Sequence, residues 1–450
     1  MNIEQFKQRL FDEGEKLGFT ELELYYEQNE TLLIELYEGE VDGYESSTVQ
    51  GASVRGLYNG KTGYAYTEKL DDDSVQFLLK NAAENAELIE NEPEELFTGN
   101  ARYEDVEFYT SKLDEVQPQE MIHFLQEVEK KVLAYDPRVT KVNANQIQKQ
   151  TVEKAIYHNK GLALSKQNNF LFVIISLLVE ENGELKSGMH FEVTKDFTTL
   201  TPDEVAQKAV EKGLSMLGER SYPNKNYPVV LENQAAASLL ATFTSSFSAQ
   251  AVQDGQSRLK GKLGETIGSE KVTLVDHPHL LDGVCSSTFD SEGVPTKKQA
   301  IVEKGKLQTY FHNLKTAKKD GVETTGHAQR ESYKDAIEVS PSNFYVKPSN
   351  RSYEQLYEGI EEGIIITDLA GMHSGANPIS GDFSLAADGY YVKDGKILGP
   401  TKQMTVAGNF FEVLQDVEEV GQDLEFSPMV FDGYIGSPSL KIKSLAITVD

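Results

Sequence analysis

Two Asn-Gly pairs, Asn59-Gly60 and Asn182-Gly183, constrain this chain more than any other feature, because each joins two apolar runs of strand length. Asn and Gly accept the positive φ that a two-residue hairpin turn demands. The first pair predicts a hairpin of Ala52–Tyr58 with Lys61–Thr67, the second a hairpin of Asn169–Val179 with Leu185–Val193. Alternation at Leu22, Leu24 and Tyr26, then at Leu32, Ile34 and Leu36, predicts a further strand pair. Lys141–Gln148 and Val152–Tyr157 read as two more strands.

Helical spacing flanks these strands. Ile3, Phe6, Leu10 and Leu17 share one helix face, with Gly18 placed to end it. Val75, Leu78, Leu79, Ala82, Ala86 and Ile89 mark a second helix, and Met121, Leu125, Val128 and Val132 a third. Thr201-Pro202-Asp203-Glu204 has the pattern of a capping box with proline at the first helical position, opening a helix to Leu217. Glu90–Gln119 and Ser221–Pro228 lose periodicity and read as linkers. The expected class is α+β: N-terminal strand-meander-plus-helix units, two of like pattern, followed by a mostly-β C-terminal domain with one helix near Tyr353–Glu361. The expected domains are 1–100, 101–223 and 224–450.

A formal net charge of −29 opposes binding to phosphate backbones or anionic lipid. A single cysteine, Cys285, excludes an intrachain disulfide. The N-terminus shows no apolar signal core, and the longest apolar run, Phe170–Val179, is about half a membrane span. A cytoplasmic protein without nucleic-acid or membrane partners is expected.

A helical zinc peptidase site needs two histidines close along a helix and a carboxylate to activate water. None of the eight histidines is so placed. His123 and Glu127 read as a surface pair. His277 and His279 flank Pro278 and, in an extended segment, point the same way; they are the weak candidates for a metal, without an evident third ligand. Cys285 reads as a small buried thiol. Ser257-x-x-Lys260 and Lys61-Thr62-Gly63 fit acyltransferase patterns in reversed order, a chance match. Gly56–Thr62 is one residue short of a P-loop and lies between strands, so nucleotide binding is rejected.

Four C-terminal strings together are specific: Ser257–Glu265 (SRLKGKLGE), Phe289–Thr296 (FDSEGVPT), Thr324-Thr325-Gly326 and Ser380–Ile397 (SGDFSLAADGYYVKDGKI). With the Leu57–Tyr66 hairpin, they resemble the TldD/PmbA family, also called modulators of DNA gyrase. The resemblance implies two branches. TldD-type subunits carry an H-E-x-x-x-H helix and a C-terminal cysteine that bind zinc; PmbA-type subunits, also called TldE, lack these and pair with a TldD-type subunit. Here Glu232–Asp254 reads as the corresponding helix. Aligned on Leu239-Leu240, the zinc histidines fall at Ala241 and Ser246 and the glutamate at Thr242; the cysteine falls near Leu424, and Glu418–Val430 contains none.

The resemblance therefore implies a PmbA/TldE-like, non-catalytic subunit of a cytoplasmic heterodimeric zinc protease acting on peptides or unfolded proteins. No cofactor is expected in this chain; zinc is expected in the TldD-type partner. Asp290, Glu292, Gly293, Ser380, Gly381 and Asp382 are expected to serve fold or interface, with Asp382 tying loop amides. One alternative is a homodimeric peptide-binding or scaffold protein. Another is a hydrolase with a metal set built from His277, His279, His312, His327 or His373.

Overall fold

The computed structural model describes residues 1–88, 94–99, 101–427 and 433–449. Helix α1 (Ile3–Leu17) opens on a capping box between Asn2 and Gln5 and stops at Gly18, whose φ of 101° is left-handed. Phe6 and Leu10 are buried, but Leu17 is exposed. The inward stripe ends at Gly14, where a Cβ would lie 2.1 Å from Leu22 Cδ1, so the sheet leaves no room for a larger residue there.

Strands β1 (Phe19–Tyr37), β2 (Glu40–Tyr58) and β3 (Lys61–Thr67) follow, then helix α2 (Asp72–Leu88). After a short helix α3 (Lys112–Glu115) the pattern repeats as α4 (Pro118–Tyr135), β4 (Val139–His158), β5 (Ala163–Glu181), β6 (Glu184–Thr194) and α5 (Pro202–Ser215). All six strands form one sheet in the order β3-β2-β1-β4-β5-β6, with β1 and β4 antiparallel at its centre. Each α-β-β-β-α unit thus supplies half of a shared sheet.

Both Asn-Gly pairs are hairpin turns. Tyr58 pairs with Lys61 across Asn59 (φ 51°) and Gly60 (φ 76°), and Glu181 with Glu184 across Asn182 (φ 54°) and Gly183 (φ 83°). The strand pair expected over residues 22–36 is instead the single strand β1, and the two strands expected over 141–157 are the single strand β4. Their polar middles stay in register because each is paired on both sides: Gln28 lies opposite Gln50 and Glu153. Thr201 makes no capping hydrogen bond through its side chain, although Pro202 does open α5.

The first expected linker packs closely where it is described: Leu96, Phe108 and Leu113 are buried. Ile89 and residues 90–93 lie outside the described residues. The second contains the start of β7 (Lys225–Leu231), with Tyr227 fully buried. In the C-terminal half, β7, Leu440–Val449, Met404–Asn409, Asp382–Lys393 and Glu362–Ala370 pair in a closed ring. A six-stranded sheet containing Leu274–Asp276 and Asn343–Val346 packs on the same core. Besides Tyr353–Tyr357, short helices at Leu314–Asp320 and Phe410–Gln415 escape prediction, being too brief to show a period. Among the described residues, no helix is long and apolar enough to cross a membrane.

Candidate functional site

The segment expected as one helix over Glu232–Asp254 is three pieces: α6 (Asn233–Phe243), a 3-10 turn (Thr244–Phe247) and α7 (Ala249–Gln253). Thr242 and Thr244 hydroxyls donate back to the Ser238 and Leu240 carbonyls, which weakens helix continuation. Phe311 then pulls the chain away: its amide donates to the Phe247 carbonyl and its carbonyl accepts from the Ala249 amide. The Phe247 ring is buried against Phe311, Phe344 and Phe410.

The three aligned positions have settled uses. Ala241 is half-buried on the core. The Thr242 hydroxyl is 2.8 Å from the Ser238 carbonyl. Ser246 is 1% exposed; its hydroxyl donates to the Pro378 carbonyl at 3.0 Å, and its carbonyl accepts from the Ser257 hydroxyl at 2.7 Å. Described residues near Leu424 lie against the other end of α6: Asn233 donates to the Asp423 carbonyl and Gln234 to Glu425. From Gln234 to Ala241 the helix rises about 10 Å. Residues 428–430 lie outside the described residues. A methyl group and two hydroxyls committed to carbonyls are no donor set for zinc, which takes imidazole, thiolate or carboxylate ligands. The residues at these positions do not fit the metal.

Restoring Ala241→His, Thr242→Glu and Ser246→His should therefore leave the chain inactive. An imidazole at fully buried Ser246 overpacks the site at a cost of about 1–3 kcal/mol. Thermal unfolding should show that loss, and elemental analysis should show no stoichiometric zinc. Peptide hydrolysis near the rate of a metal-binding family member would contradict this.

Two of the motif strings meet this turn. Ser257 caps its own loop through the Leu259 amide, and Arg258 donates to the Ser380 carbonyl at 3.0 Å while stacking on Phe411. Gly381 has φ 83°, and a Cβ there would lie 2.6 Å from the Phe411 ring. Asp382 does not tie loop amides as expected. Its carboxylate accepts from the Asn409 side chain at 2.8 Å, which lowers its pKa, while the Ile379 and Ser380 amides go to Asn377. The exposed Asp382 carries little of the fold, so Asp382→Ala should cost less stability than Asn377→Ala, which takes the acceptor from two loop amides. Chemical denaturation of the two variants checks the order.

The FDSEGVPT string forms a buried clamp between the halves of the chain. Asp290 accepts from the Glu292 and Val294 amides through Oδ1 (2.9 and 3.0 Å) and from the Ala328 amide through Oδ2 (3.1 Å). Glu292 accepts from the Leu314 amide at 2.8 Å and lies 3.4 Å from Arg55 of β2. Arg55 also binds Glu23 of β1 at 2.7 Å and Glu94 at 3.2 Å, and Arg330 binds Glu23 at 2.9 Å. Burial raises the pKa of both Asp290 and Glu292; Arg55 opposes the rise at Glu292. Gly293 (φ 80°) packs on Leu162, and its carbonyl accepts from Tyr103. The Arg55 and Arg330 partnership is invisible in the sequence, since its members lie hundreds of residues apart.

The histidines do not gather. The His277 and His279 rings are 6.5 Å apart and nearly perpendicular, and His279 Nε2 is 3.0 Å from the Thr296 hydroxyl. His327 bridges Asp276 (3.2 Å) and Thr325 (2.8 Å), but the Thr325 hydroxyl already accepts from the His312 amide. His373 is exposed. His123 is also exposed, and Glu127 pairs with Lys130 rather than with it. Among the described residues, no three His, Cys, Asp or Glu side chains converge as metal ligands. Cys285 is half-buried rather than buried, and burial pushes its thiol up to about 11.

Residues 224–449 match the PmbA/TldA metallopeptidase C-terminal domain, 22–86 domain 1 and 111–217 the central domain of the same family. The chain belongs to the PmbA/TldD metallopeptidase family. Over 438 residues it is 30% identical to an uncharacterized protein of Methanocaldococcus jannaschii, covering 95% of this chain and 99% of that one. It is 26% identical to metalloprotease PmbA of Escherichia coli O157:H7 over 410 residues, 90% of this chain and 88% of the other. A Thermotoga maritima structure described as a modulator of a DNA gyrase has a TM-score of 0.91 at 31% identity, covering 99% of this chain and 100% of that chain. TldE of Thermococcus kodakarensis has a TM-score of 0.89 at 23% identity, covering 98% and 100%, and shares the PmbA/TldD fold.

Proposed function

We propose that this chain is a non-catalytic, PmbA/TldE-like subunit that pairs with a TldD-type subunit in a cytoplasmic zinc peptidase acting on peptides or unfolded proteins. The observation that carries this reading is the occupancy of the aligned zinc positions by Ala241, Thr242 and Ser246, with both hydroxyls bonded to backbone carbonyls. In this reading zinc belongs to the partner, and this chain contributes walls and strand edges against which an extended peptide can be held by sequence-tolerant backbone hydrogen bonds.

Co-expression with a family subunit bearing the H-E-x-x-x-H helix tests the pairing. A stable complex that hydrolyses unfolded protein, with activity lost when the partner's motif glutamate is replaced, is expected. A chain that remains a homodimer and leaves the partner's activity unaltered would favour the scaffold alternative.

A further inference from the structure

The helices cover only one face of the N-terminal sheet. The other face carries the odd residues of β1 and the even residues of β4 and β5, and between it and the C-terminal half lies a cavity of about 840 Å³. That volume is typical of a small-molecule or short-peptide site. Two ammonium groups face it, Lys154 from β4 and Lys166 from β5. Lys154 lies 3.8 Å from Glu27, whose carboxylate also accepts from Tyr25 and Asn29. Lys166 has no such arrangement. Among the described residues, no carboxylate pairs with its ammonium and no acceptor takes its hydrogen bonds; it rests over the Phe289 ring at 5.2 Å. A cation held beside a second cation, short of a counter-ion, is a costly feature that a bound anion would relieve.

The opposite side of the cavity holds three carboxylates beside Arg330, whose guanidinium is paired with Glu23. Glu331, Asp335 and Glu338 line it, and the Tyr64 hydroxyl of β3 donates to the Tyr333 and Asp335 carbonyls, which places this segment above β3. From β3 to β4, which carries Lys154, is three strand spacings in the sheet order, about 14 Å, and Lys166 stands opposite Lys154 on β5, about 5 Å further on. An extended chain of four residues spans about the first of these distances. Gln148 and Gln150, on β4 beside Lys154, also line the cavity with amide side chains able to pair with peptide groups; the one bond between them, from Gln148 Nε2 to Gln150 Oε1, leaves donors and acceptors over.

We propose that this cavity binds a peptide of about four residues with both ends free, its carboxylate on Lys166 and Lys154 and its ammonium against Glu331 and Asp335. The site is distinct from the α6 turn and does not depend on a metal-binding partner. It gives the chain a ligand of its own, the kind of product or fragment that a peptidase releases.

Protonation adds a signature. Burial first, and then Lys154, hold Lys166 down to about 7, with Glu27, Cys285 and Asp290 the other ionisable groups that act on it. A carboxylate ligand should draw a proton onto Lys166, so binding at pH 8 takes up protons. Free of ligand, the lysine's lowered value means that the unfolded chain holds more protons between about 7 and the ordinary lysine value. The contribution of Lys166 to stability should rise with pH across that window, so Lys166→Met should be more stable than wild type below it and lose that advantage above it.

Titration calorimetry of the full chain with tetra-alanine, its C-terminal amide, its N-acetyl form and succinate tests the assignment. Tetra-alanine should bind with proton uptake at pH 8, amidation should weaken it at least tenfold and acetylation should also weaken it. Lys166→Met should weaken it at least tenfold while melting no lower than wild type at pH 7. Equal binding of the amide, no loss in the Lys166→Met variant, or no binding of tetra-alanine would overturn the proposal. Succinate binding as tightly as the peptide would also overturn it, in favour of a simple carboxylate site.

Discussion

Arg55→Ala is expected to cost about 3–5 kcal/mol of stability, because it strands buried charge rather than deleting a surface pair. Glu23 and Glu292 are 1% and 2% exposed, and Arg55 is the cation between them. Glu23 keeps Arg330, so the unpaired group is chiefly Glu292. Arg55→Met, which keeps much of the packed volume, should recover little, whereas Arg55→Met with Glu292→Gln should recover much of the loss. The pH dependence has a definite sign. Burial already raises the Glu292 pKa, and Arg55 is the chief group that restrains it. Without Arg55 the folded value rises further above the unfolded one. The stability linked to that proton is present below the unfolded value and lost as pH rises through the folded one. The variant should therefore be closer to wild type at pH 5 than at pH 8. Thermal unfolding across that range, followed by circular dichroism because the chain has no tryptophan, measures it.

Asp290→Ala should be comparably severe. It removes the acceptor from three backbone amides, those of Glu292, Val294 and Ala328, in a site that is 2% exposed. Each buried donor left unmet costs about 1–3 kcal/mol, offset in part by removal of a buried carboxylate. A net loss of about 3 kcal/mol is expected. Asp290→Asn separates the two contributions. Its oxygen can still accept from two amides, but its NH2 then faces the Ala328 N–H, so it should recover only part. Denaturant midpoints for the two variants give the comparison; an asparagine variant as stable as wild type would show that the Ala328 contact is worth nothing. Both substitutions act where the FDSEG loop joins the N-terminal sheet to the C-terminal half, so hydrogen exchange should rise on both sides of that junction.

Hairpins were legible wherever a turn residue had to be Asn-Gly, because the chemistry of positive φ is local. Strand length was not. The polar runs Glu27–Thr31 and Gln148–Thr151 look like breaks until β1 and β4 are paired on both sides, when backbone bonding outweighs side-chain pattern. Linker readings erred for a related reason: residues such as Leu113 and Tyr227 show no period but are buried by surfaces that other elements build. The reading of Ala241, Thr242 and Ser246 rests on resemblance alone, and the bend between Thr242 and Ser246 was not legible, since it depends on Phe311. The lysine cavity could not be read at all. Glu27, Lys154, Lys166 and Cys285 meet only when four segments have folded together.

Zinc content of the purified chain, measured by elemental analysis beside its hydrolysis of unfolded protein, tests the non-catalytic assignment most directly. The expected result is no stoichiometric zinc and no hydrolysis by the chain alone, with both appearing when a TldD-type subunit is added. One tightly held zinc per chain, with chelator-sensitive hydrolysis in the absence of any partner, would contradict it.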